Sequence, residues 1–163
     1  MKKVLAFALI TLFSSAAHAE YKQVNLTVFG MDCAPCAHAI HVSMKGIKGV
    51  DTVNVDLNTG LVTISLTSGN TAGMHQFEEA VKKNGFTHKD ATVVVRGKLT
   101  GTANSPILEV AGTSDHYALA PSGQQADIAA LMGKLVEVNG LLPQAAKGKL
   151  PDILHYKTIT EAR

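Results

Sequence analysis

No apolar run in the 163 residues is long enough to cross a bilayer. Val4 to Phe13 falls well short of the roughly 20 residues that a spanning helix needs, and nothing else approaches that length. Charge of one sign is not in excess either. The whole chain carries a formal +2, but without Lys2 and Lys3 its 15 basic side chains fall to 13, against 13 acidic ones. A neutral surface offers no electrostatic case for nucleic acid or an anionic membrane. Gly-x-Ser-x-Gly, phosphate-loop, His-Glu-x-x-His and paired-carboxylate signatures are all missing, so the chain is not expected to be an enzyme. Tryptophan does not occur, and cysteine occurs only twice.

The first 19 residues read as a signal peptide. Lys2-Lys3 is followed by the apolar Val4 to Phe13 and then by Ala17-His18-Ala19, the small-x-small pattern that signal peptidase cuts. A chain starting at Glu20 is then expected in the bacterial periplasm, soluble and without membrane insertion. In that oxidising compartment two cysteines invite a structural disulfide. Cys33 and Cys36 are separated by only two residues, however, and closing so small a loop removes little entropy from the unfolded chain. Stapling the fold is a poor reason for them.

Residues 20–91 alternate between strand and helix periods. Val24, Leu26 and Val28 recur every second residue, as on a half-buried strand. Pro35 suits a first helical turn, and Ala37, Ile40, Met44 and Ile47 then draw one apolar helix stripe. Val53, Val55 and Leu57, the turn Asn58-Thr59-Gly60, and Val62, Ile64 and Leu66 make a hairpin. Asn70 or Thr71 is the expected cap of a second helix with the stripe Met74, Phe77, Ala80 and Val81, stopped by Gly85. A last strand falls within Phe86 to Val95. The order is that of the ferredoxin-like βαββαβ motif, with helices on one face of an antiparallel sheet.

Both cysteines lie between the first strand and the first helix. Thiolate sulfur is soft, and two thiolates without further ligands suit ions content with low coordination number, Cu(I) or Hg(II). Structural zinc asks for four ligands, and there is no second cysteine pair. Cys36 falls near a helix N-terminus, where unpaired N–H groups favour a thiolate, while Asp32 opposes the added negative charge slightly.

Gly30-Met31-Asp32-Cys33-Ala34-Pro35-Cys36 resembles the GMxCxxC motif of heavy-metal-associated domains. That family includes copper chaperones, modules of metal-pumping ATPases and periplasmic mercuric-ion-binding proteins. The resemblance implies metal ligation by Cys33 and Cys36, carriage of the ion, and a metal-donor or metal-acceptor protein as partner, a membrane transporter being the natural example. It also implies that Met31 plugs the core and that Phe86 sits beside the metal loop, although ordinary core packing suits Phe86 equally. His38 and His41 are expected to face solvent. Cys33-Ala34-Pro35-Cys36 is also close to the CxPC site of thioredoxin-like oxidoreductases. Those relatives usually place a tryptophan before the first cysteine, and their element order differs.

Residues 92–163 change texture to short strands at Val93 to Thr100, Ile107 to Ala111, His116 to Ala120, Leu135 to Leu142 and His155 to Thr160. A helix is expected at Gln124 to Met132. This pattern resembles a small oligonucleotide/oligosaccharide-binding (OB-like) barrel, with Gly97, Gly101 and Gly140 available for tight bends. Seven Lys or Arg against six Asp or Glu, and Tyr117 and Tyr156 as the main aromatics, do not make a nucleic-acid surface; protein docking or dimerisation is the plainer role. A meeting of His116-Tyr117 with His155-Tyr156 would make a weak second metal site. The fold expected is α+β: a metal-binding domain at 20–91 and a small mainly-β domain at 92–163. Ala91 to Arg96 fits the end of the first, the start of the second, or both.

Overall fold

The computed structural model describes residues 20–123, 125–145, 149 and 152–162. The expected leader at 1–19 lies outside the described residues. In chain order the elements are β1 (Glu20–Phe29), α1 (Ala34–Lys45), β2 (Val50–Asp56), β3 (Leu61–Leu66), α2 (Met74–Lys83), β4 (Thr87–Thr102), β5 (Ser105–Glu109), β6 (His116–Pro121), α3 (Ile128–Leu131), β7 (Leu135–Leu142) and β8 (Ile153–Glu161). No described helix is long and apolar enough to cross a membrane.

The first four strands stand in the order β2-β3-β1-β4, all pairings antiparallel, which is the ferredoxin-like arrangement read from the sequence. The alternation explains the layers. Val24, Leu26 and Val28 on β1 and Val62 and Ile64 on β3 are buried under Ile40 and Met44 of α1 and Met74, Phe77 and Val81 of α2. Asn25 and Thr63, paired across the two strands, stay partly exposed on the other side.

Of the three placements that the sequence allows for Ala91 to Arg96, the structure takes the last: these residues serve both regions, in a β4 that runs unbroken from Thr87 to Thr102. Its residues Ala91, Val93, Val95, Gly97 and Leu99 are all buried on one face. The outcome follows from two-sided pairing. Residues 91–96 lie between β1 on one edge and β7 on the other, and residues 98–102 turn to β5. The 91/92 boundary thus falls inside a strand that serves both regions.

The C-terminal pairings run β4-β5-β6-β8-β7 and return to β4. All are antiparallel except β6 with β8. Gly97 and Gly140 allow close approach and not tight bends: an added Cβ would lie 2.6 Å from the Glu109 carbonyl at one and 2.6 Å from the His155 carbonyl at the other. Of the helix expected at Gln124 to Met132, only the single turn Ile128–Leu131 forms, and Gln124 itself is outside the described residues.

Polar groups tie the two regions together. Tyr21 of β1 is fully buried and donates from its hydroxyl to Asp115 Oδ2 at 2.7 Å. Its oxygen lies 2.5 Å from the Tyr117 hydroxyl. With the Tyr21 proton committed to Asp115, Tyr117 is the donor of that second bond. Burial, then the neighbouring hydroxyl and carboxylate, push the Tyr21 pKa well above the ordinary tyrosine value; burial first and Asp115 next raise that of Tyr117. Both therefore remain protonated donors. The same Asp115 oxygen accepts from Met74 N at 2.7 Å, which corrects the capping expectation for α2. Gly73 occupies the N-cap position, and a carboxylate from the distant β5–β6 connection supplies the acceptor. Asn70 instead bonds the carbonyls of Tyr21 and Thr67. On the outer face Glu137 of β7 takes Lys22 of β1 at 3.1 Å and Arg96 of β4 at 3.0 Å. Burial opposes its ionisation, but these two cations outweigh it and hold the carboxyl below its ordinary range.

Candidate metal centre

β1 delivers the chain to the site and ends where Gly30 adopts φ +80°, a left-handed conformation that costs other residues more. The next side chain, Met31, is 2% exposed and belongs to the core. Its burial beneath the loop rules it out as a third ligand in this arrangement. Asp32 and Cys33 emerge into solvent.

Cys33 is the N-cap of α1, with extended backbone angles, and its sulfur accepts a hydrogen bond from Cys36 N at 3.2 Å. Ala37 N bonds the Cys33 carbonyl at 3.0 Å and starts the helix. Pro35 falls in the first turn, where its missing N–H removes no helical bond. A sulfur that caps a helix in this way gains from the same N–H groups that favour its charged form.

The two sulfurs are joined as a disulfide, with Cα atoms 5.1 Å apart. Cys33 is exposed, whereas Cys36 is half-buried against the core. This is the oxidised state of the pair, without a thiolate to offer. Cutting the bond by two-electron reduction places two sulfurs on one solvent-facing loop at the end of α1.

The neighbours fall as follows. His38 is exposed on α1 and His41 half-exposed. Among the described residues no group of three or more His, Cys, Asp or Glu side chains is placed to hold a metal, so neither histidine completes a site with the cysteines. Phe86 plays both of its alternative parts: it packs on the core, and its Cδ1 would lie 3.6 Å from a Cβ added at Gly30. The suggested second site does not form. His116 sits opposite Glu109, while His155 sits beside Ala120, four residues further along β6. Phe29 was not singled out by the sequence; its ring is 43% exposed at the end of β1, with Lys89 Nζ 5.1 Å from its centroid.

The family profile "Heavy-metal-associated domain" matches residues 25–87. An uncharacterized protein of Haemophilus influenzae is 39% identical over 66 residues, which are 39% of this chain and 72% of that protein. Copper-transporting ATPase 2 of Rhizobium meliloti is 37% identical over 62 residues, 38% of this chain and only 7% of the ATPase; the match concerns one segment of that protein and not the whole. Among solved structures, the CopZ metallochaperone is 27% identical, with 40% of this chain and 97% of that chain covered at a TM-score of 0.38. Oxidized MerP from Ralstonia metallidurans CH34 is 20% identical, with 45% and 96% covered and a TM-score of 0.38. Motif, element order and family profile coincide on the same residues, and over 25–87 the chain belongs to the heavy-metal-associated domain family.

Proposed function

We propose that the protein captures a soft thiophilic ion, Cu(I) or Hg(II), between the sulfurs of Cys33 and Cys36 and passes it to an acceptor protein. The observation that carries this reading is the pair of cysteines within one turn at the exposed N-terminus of α1. No third ligand stands nearby among the described residues. Two thiolates and no more suit ions that accept two-coordination, and they disfavour structural zinc. The ion is cargo. Transfer proceeds by thiolate exchange: an acceptor thiolate attacks the bound ion, a three-coordinate species forms, and one donor sulfur leaves. Loading requires the reduced pair, so an external dithiol must first take up the disulfide and end as a disulfide itself.

The leader pattern supports work in the periplasm, with a membrane transporter as the natural acceptor and without membrane insertion of the exported chain. Residues 20–91 are the metal-binding domain on this reading. Residues 92–163 form a second, OB-like domain, supported by the ring of pairings β4-β5-β6-β8-β7, the helical turn between β6 and β7, and the parallel β6–β8 pair. The two share β4.

Dithiol oxidoreductase chemistry is the second reading, favoured by the joined sulfurs. The ferredoxin-like strand order and the missing tryptophan speak against it. Cys36→Ser separates the two. A carrier so changed loses nearly all soft-metal affinity and traps no partner, because one thiolate and a hydroxyl make a poor clamp. An oxidoreductase would accumulate mixed disulfides through Cys33, and that outcome, with metal affinity unchanged, would replace the carrier reading.

A further inference from the structure

We draw no further inference here: the strongest candidate, the exposed apolar row of Ile107, Ala118 and Ile153 that runs across β5, β6 and β8 on the outer face of the C-terminal ring, carries nothing, because nothing among the described residues shows what covers it.

Discussion

The two regions keep their reactive groups in opposite places. In the helix-bearing region the chemistry is at the surface, with Cys33 exposed on a loop that leaves the sheet at Gly30. Across the junction the polar chemistry is inside: Asp115 is 7% exposed and accepts from Tyr21 of β1 and Met74 of α2, and Tyr117, 2% exposed, bonds Tyr21. An ion that must pass from one pair of thiols to another needs an open loop, and an open loop contributes little to stability. The anchoring therefore comes from elsewhere, through a strand shared by both regions and one carboxylate that closes the start of α2. The buried residues of both regions form one contiguous core.

The largest test of that contrast is truncation after Ala91. The cut leaves residues 20–25 of β1 without their partners at 92–96 and removes Asp115 and Tyr117 from Tyr21. If the anchoring is as described, the truncated chain has no cooperative unfolding transition, whereas the chain of residues 20–163 does. A truncated chain that unfolds cooperatively and binds metal with full affinity would show the regions to be independent.

A smaller change sharpens the same point. Asp115→Ala removes two buried acceptor interactions at once, orphaning Met74 N and freeing the Tyr21 proton. It should cost about 2–4 kcal/mol in denaturant unfolding. Asp115→Asn, which keeps one acceptor oxygen, should cost less. Metal affinity of the folded, reduced protein should change little, since neither variant touches the loop.

The smallest expected effect lies on α2. Glu78 is 6% exposed, and burial raises its pKa above the ordinary glutamate value, although His88, Lys82 and His75 pull it down. A raised folded-state value means that the folded protein binds this proton more tightly than the unfolded chain. The protonated form thus favours folding, and stability declines as pH rises from the ordinary value through the raised one. At neutral pH Glu78→Gln should raise stability, by no more than about 1 kcal/mol, and should flatten the pH dependence in the weakly acidic range. A destabilised Glu78→Gln protein at neutral pH would show the carboxylate to be a needed partner.

The same contrast explains what was legible in the sequence. The strands and helices of residues 20–87 follow local period, and the cysteine motif sits where a strand must turn into a helix, so the fold and the position of the cysteine pair were readable there. The cap of α2 was not, because its acceptor is Asp115, 41 residues beyond Met74. Nothing near Asn70 or Thr71 announces a cap supplied from so far away. For β4 the sequence left three placements of Ala91 to Arg96 open, because a strand paired on both edges lacks the turn residues that mark an end. In the C-terminal region alternation placed the strands within a few residues, but which strands pair, and that β6 and β8 run parallel, is settled by long-range closure and not by local pattern.

The central claim is that Cys33 and Cys36 together hold one soft ion. It is tested most directly by titrating the protein with Cu(I) and with Hg(II) in reduced and disulfide forms, following bound metal per chain. The account predicts one ion per reduced chain for at least one of the two metals, and none on the disulfide form. Undetectable binding to the reduced protein, accompanied by disulfide-reductase turnover well above that of a free dithiol, would contradict it.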